Sequence, residues 1–125
     1  MCMPTRVVVS KAKDCLAIEF STGQEYTLTA EFLRVHSPSA EVRGHGESNE
    51  TLQFGKRKIK IASLEQAGHY ALQISFSDGH DSGIFSWEYL RQLGENQDNM
   101  WSVYLEKLHR AGLSRDPESQ VIKLL

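Results

Sequence analysis

His69-Tyr70-Ala71-Leu72-Gln73-Ile74-Ser75-Phe76, followed by Ser77-Asp78-Gly79-His80-Asp81-Ser82 and then Gly83-Ile84-Phe85-Ser86-Trp87, is the stretch that decides the fold. The first eight residues alternate, with Tyr70, Leu72, Ile74 and Phe76 falling on one face, which is the period-2 signature of a half-buried strand. Asp78-Gly79 is a hairpin signal, because glycine accepts the positive φ that a tight bend requires. Gly83-Ile84-Phe85 returns as a short strand. Ser86 is suited to cap a helix through Trp87, Leu90 and Leu93, with Gly94 as its end. The spacing therefore predicts a strand–bend–strand–helix corner, with Trp87 packed beneath the bend and a histidine set between two carboxylates at its tip.

Working outward, Arg6–Ser10, Cys15–Phe20 and Glu25–Leu28 read as three strands joined by short polar links, an antiparallel meander. Thr29 is placed to cap a short helix, Ala30–Val35, which Pro38 prevents from continuing. His36–Gly55 is polar and glycine-rich and reads as a long loop, a length that in a compact domain tends to carry function. Lys58–Ile61 alternates as a strand, Leu64–Gly68 reads as a connector, and Gln97–Ala111 reads as a helix with Met100, Trp101, Tyr104, Leu105 and Leu108 on one face and Gly112 as its cap. Strands followed by C-terminal helices give an α+β class: antiparallel meander and hairpins with two C-terminal helices packed against the sheet. The reading is one domain over residues 1–112 and a tail over 113–125.

At 125 residues the chain is near the commonest domain size, and 40% hydrophobic with 24% charged residues is the balance of a packed protein. A formal charge of −2 argues against a nucleic-acid partner. The basic run Lys56-Arg57-Lys58 with Lys60 reads as a solvated strand face. Nothing approaches the ~20 apolar residues of a membrane span, and no signal peptide is visible. The two cysteines, Cys2 and Cys15, do not make a disulfide framework, and a cytoplasmic location is expected.

Chemistry centres on the histidines. His69 and His109 read as surface residues. His36 and His45 share the long loop, and His80 sits in the hairpin; if the loop folds back, these three could converge beside Asp78, Asp81 or Glu47. Neutral imidazoles with a carboxylate suit zinc or iron(II), which makes His80, His36 and His45 metal candidates; structural hydrogen bonding is the competing reading. His45-Gly46-Glu47 with a distant histidine matches the pattern of an iron oxygenase triad, but that triad belongs in a barrel of about eight strands, which this chain does not supply. No GxSxG elbow and no phosphate-binding glycine loop is present.

Several separated motifs carry a resemblance: Leu33-Arg34-Val35-His36-Ser37-Pro38-Ser39-Ala40-Glu41, Gly44-His45-Gly46, Gly68-His69-Tyr70-Ala71, and Asp78–Trp87, with support from Leu90, Leu93-Gly94 and Trp101-Tyr104-Leu105. Over roughly residues 5–112 the chain resembles the family of γ-butyrobetaine hydroxylase-like N-terminal domains. In the carnitine-pathway hydroxylases the corresponding domain holds a structural zinc through three cysteines and one histidine. The resemblance puts those cysteines at Ser37, Ser39 and Val42 and the histidine at His80, so the three-cysteine site is not retained. The oxygenase domain is missing too, and similar domains occur at the C-terminus of some P-loop iron–sulfur carriers. The resemblance thus implies a stand-alone accessory or adaptor domain without catalytic activity. Its partner would be a protein, with Ser37, Ser39, Glu41, Asp78 and Asp81 as candidate contacts. The alternative is an iron- or zinc-binding accessory protein linked to iron–sulfur assembly.

Overall fold

A computed structural model describes residues 3–43 and 51–117. Strands β1 (Pro4–Val9), β2 (Cys15–Phe20) and β3 (Glu25–Thr29) form one antiparallel sheet in that order. Helices α1 (Ala30–Val35) and α2 (Ala40–Arg43) follow, then a second antiparallel sheet of β4 (Ile61–Ala67), β5 (Ala71–Phe76) and β6 (Gly83–Ser86), and finally α3 (Trp87–Glu95) and α4 (Gln97–Ala111). The class is α+β, as the order of elements predicts.

Alternation drives both sheets inward. Leu16, Ile18 and Phe20 of β2 and Leu28 of β3 meet Leu72, Ile74 and Phe76 of β5 and Phe85 of β6 in one core, closed by Phe32 and Leu33 of α1 and Leu90 and Leu93 of α3. Each fully buried side chain of this kind contributes about 1.5–3 kcal/mol relative to exposure. The sheets are tied by Ile61, whose N–H donates to the Lys13 carbonyl at 2.8 Å. Side-chain caps fix where α1 and α3 begin: the Phe32 N–H donates to Thr29 Oγ1 and the Tyr89 N–H to Ser86 Oγ, both at 3.0 Å. Gly112 closes α4 in the left-handed region at φ 67°.

Several local expectations are corrected. The strand predicted over Lys58–Ile61 begins only at Ile61, and the segment read as a connector, Leu64–Ala67, is the body of β4. It pairs with β5 from Ile61↔Phe76 to Ala67↔Ala71 across a bulge, so partner contacts override its polar composition. Tyr70 does not share the inner face: β5 starts at Ala71, and Tyr70 lies in the preceding turn, 69% exposed. Trp87 is buried but sits at the opposite end of β5 from the bend; its indole N–H donates to the His69 carbonyl at 2.9 Å. Gly94 does not end α3; it lies within it, against the Tyr26 ring. On α4, Tyr104 and Leu108 are buried whereas Leu105 is exposed, so the buried stripe is narrower than its sequence spacing suggests. The long loop also contains the short helix α2.

The first residues after α4 are anchored. Gly55 and Arg57 donate backbone N–H groups to the carbonyls of Ser114 and Arg115, both at 2.9 Å. Arg115 grips the buried Glu31 carboxylate with two bonds, at 2.9 and 2.7 Å, and lies over the Trp101 ring. Among the described residues no helix is long and apolar enough to cross a membrane.

Candidate functional site

The bend between β5 and β6 forms as predicted. Gly79 takes φ +89°, its N–H donates to the Phe76 carbonyl at 3.0 Å, and the Phe76 N–H donates to the His80 carbonyl at 2.9 Å. Asp78 bolts this bend to α1. Its Oδ2 accepts from Arg34 Nε at 2.9 Å and from Lys56 Nζ at 2.6 Å, and its Oδ1 accepts the His80 N–H at 3.1 Å. Partial burial pushes the carboxyl up, but Lys56, the His80 amide and Arg34 together outweigh it and hold its pKa down to about 2. The Arg34 side chain is buried, and its Nη1 finds no hydrogen-bond partner among the described residues.

Held this way, His80 turns inward. Its Nε2 shares hydrogen bonds with Ser37 Oγ at 2.9 Å and Ser39 Oγ at 3.3 Å, and the two hydroxyls are 3.4 Å apart. Ser37 is 0% and His80 6% exposed. Gly83 makes room for the contact: a Cβ there would stand 2.4 Å from Ser37 Oγ. A serine beside an imidazole is the geometry of an activated nucleophile, but a substrate must reach the hydroxyl, and this one is sealed under the β6 backbone. The corner is built to hold elements together.

Ser37, Ser39, His80 and Asp78 thus converge. His36 does not join them. Its Nδ1 sits 2.9 Å from the Phe32 carbonyl, and its ring packs on Phe32 at 4.6 Å and edge-on to Tyr104 at 6.2 Å. The expected pairing of His36 with His80 on one metal is therefore corrected: a backbone carbonyl and two aromatic rings draw the His36 imidazole to the α4 side. His45 lies outside the described residues, as does Glu47. Glu41 belongs to α2. Asp81 is exposed, and its carbonyl accepts from Gln73 Nε2 at 2.8 Å. Among the described residues no group of three His, Cys, Asp or Glu side chains is placed to hold a metal. The trio of two hydroxyls and one imidazole does not fit zinc or iron: neutral serines lack the thiolate charge, and they already satisfy the imidazole.

Sequence reasoning missed a groove of about 960 Å3 beside the end of α1, which shares Ser37 with the corner. Val35, Val42, Leu52, Met100 and Val103 supply its apolar surface, with Tyr89 and Tyr104 in its walls. Both phenols are tied back: Tyr89 donates to the His36 carbonyl at 2.6 Å and Tyr104 to the Gln53 carbonyl at 2.8 Å. Burial, assisted by the Glu31 charge, pushes the Tyr104 hydroxyl up to about 12, so it stays a donor. Arg43 lies over the Tyr89 ring, 4.6 Å from its centroid. The one sequence trace of this groove is on α4, where Met100, Val103 and Lys107 recur at helical spacing beside the buried Tyr104.

The family model described as "Gamma-butyrobetaine hydroxylase-like, N-terminal" matches residues 7–91, from β1 into α3. Two proteins solved in solution by NMR are similar along the whole chain. One is 49% identical with a TM-score of 0.83, covering 100% of this chain and 98% of its own. The other is 39% identical with a TM-score of 0.80, covering 100% and 94%. A crystal structure of a protein of unknown function from Acidithiobacillus ferrooxidans is 34% identical with a TM-score of 0.62, over 74% of this chain and 92% of that one. No curated protein matches. The matched residues run through both sheets and the sealed Ser37–His80 corner, and the chain belongs to the γ-butyrobetaine hydroxylase-like, N-terminal family.

Proposed function

We propose that this chain is an accessory binding domain that presents its groove to a protein partner and has no catalytic activity of its own. The observation that carries this reading is the division of labour around the end of α1. The polar groups suited to chemistry are buried and mutually satisfied, while the accessible concavity beside them is largely apolar. A formal charge of −2 favours a protein over a nucleic acid as the partner. The free thiol of Cys15 is compatible with the cytoplasm. No group of metal-ligating side chains among the described residues supports the metal-binding alternative, which is why the groove carries the reading.

Val103 is 43% exposed in the groove, so Val103→Glu should spoil the surface without unfolding the chain. Affinity capture from cell extract, wild type against Val103→Glu at matched thermal stability, should recover a protein that the variant loses. An identical captured set, or reproducible turnover of a substrate by the purified chain, overturns the reading.

A further inference from the structure

The charge of the groove selects its occupant. Arg43 and Lys107 are among its lining residues, and no Asp or Glu is among the described ones. Arg43 is exposed, and its guanidinium carbon stands over the Tyr89 ring, 4.6 Å from the centroid, with no carboxylate partner among the described residues. A guanidinium held over an aromatic ring keeps N–H donors available for pairing with a carboxylate. Beneath the cations, Val35, Val42, Leu52, Met100 and Val103 offer an apolar floor. Asn99 to Lys107 spans eight residue steps of α4, about 12 Å of wall at ~1.5 Å per residue, which matches about two turns of a helix.

We infer that the groove takes an acidic, apolar-anchored peptide segment of a partner protein, with Arg43 pairing a carboxylate while aliphatic side chains seat against Val103 and Met100. This rests on the adaptor reading above and adds to it the chemical class of the partner.

The test is selection of a displayed library of amphipathic 16-residue peptides, with the apolar face fixed and the polar face randomised, on the full chain. Asp and Glu should enrich, and binding of a selected peptide should weaken with added salt. Arg43→Glu should cut its affinity by about tenfold or more, as expected for losing a charge-assisted contact and adding a repulsive one. Val103→Glu should abolish it. Chemical-shift changes should map to Val35, Leu52, Met100 and Val103.

Enrichment of basic or neutral faces, or affinity indifferent to Arg43→Glu, overturns the inference. If no peptide enriches while capture from extract still depends on Val103, the acidic class falls and the adaptor reading stands; if both fail, both fall. A concentration-dependent dimer that Val103→Glu abolishes makes a second copy the occupant and also overturns the inference.

Discussion

Replacing Gly83 with alanine separates two physical effects of opposite sign. Within a strand, alanine costs less conformational entropy than glycine, and on that ground alone the change should stabilise by about 0.5–1 kcal/mol. The structure predicts the reverse. The new Cβ would stand 2.4 Å from Ser37 Oγ and 3.1 Å from Phe85 Cε1, and Ser37 and Phe85 are both fully buried. Relief requires roughly 1 Å of movement by a hydroxyl that is bonded to His80 at 2.9 Å. Overpacking of about 1–3 kcal/mol adds to about 1–3 kcal/mol for weakening the contact to a buried imidazole, so the loss should be about 2–5 kcal/mol. Ser37→Ala alone should cost only about 1 kcal/mol, because Ser39 Oγ still stands 3.3 Å from His80 Nε2. In the double variant the opposing Cβ atoms are 3.6 Å apart, ordinary contact distance. The double loss should then fall short of the sum of the single losses by about 1–3 kcal/mol. Urea unfolding followed by fluorescence of Trp87 and Trp101, with m unchanged across the cycle, measures this directly. Stabilisation by Gly83→Ala, or additivity within about 0.5 kcal/mol, refutes the sealed-corner geometry.

Three further outcomes are expected. Gly94→Ala should destabilise despite alanine's better helix propensity, because its Cβ would stand 2.3–2.7 Å from Tyr26 ring atoms; thermal melts should show the loss relieved in the Tyr26→Ala background. Asp78 has a folded pKa of about 2, below its unfolded value of about 3.9, so its contribution is complete above that value and fades as pH falls from about 4 toward 2. Acid titration of stability should show a shallower fall for Asp78→Asn, and superimposable curves would contradict the Arg34–Asp78–Lys56 network. Ser37→Cys with Ser39→Cys and Val42→Cys should confer zinc-dependent stabilisation that His80→Ala removes. Ligand atoms of a Cys3His site stand about 3.5–3.8 Å apart for Zn–S of about 2.3 Å and Zn–N of about 2.0 Å, and the present O···N and O···O separations of 2.9, 3.3 and 3.4 Å need to open by only a few tenths of an ångström to reach it. Val42 lines the groove and is not bonded into the corner, so unchanged melting with added zinc would show that position 42 cannot join Ser37, Ser39 and His80 around one ion.

What could be read from the sequence was local. The bounds of β2, α1 and α4 follow from alternation, from the Thr29 cap and from the Gly112 terminus, all signals contained in a few neighbouring residues. β4 could not be read, because Ser63, Glu65 and Gln66 belong in a strand only through their partners on β5. Tyr70 was misplaced because periodicity does not mark where a turn at Gly68, with φ +59°, hands over to a strand. The meeting of Ser37 and Ser39 with His80 crosses more than 40 positions and came from resemblance rather than from pattern. The groove left only the spacing on α4. It is assembled from the end of α1, from α2, from residues 51–53, from Tyr89 of α3 and from one face of α4, and only the fold brings those together.

The corner and the groove are one device. Ser37 belongs to both: its hydroxyl meets His80 under the hairpin, and it also lines the groove beside Val35 and His36. A wall made of the last turn of a six-residue helix would fray if left to its own propensity, since helices this short are marginal in water. Three contacts hold it to the second sheet and α3: Ser37 and Ser39 to His80, Arg34 to Asp78, and the Tyr89 hydroxyl to the His36 carbonyl. The end of α1 and the residues just after it gain hydrogen bonds from each. Buried polar groups of this kind specify geometry more than they add stability, because each bond mainly offsets the desolvation of its own partners. Their value lies in where they fix Val35 and His36. Loosening the corner should therefore change the shape of the groove before it unfolds the domain, and it is in the groove, not at the histidine, that its effect on binding is to be sought.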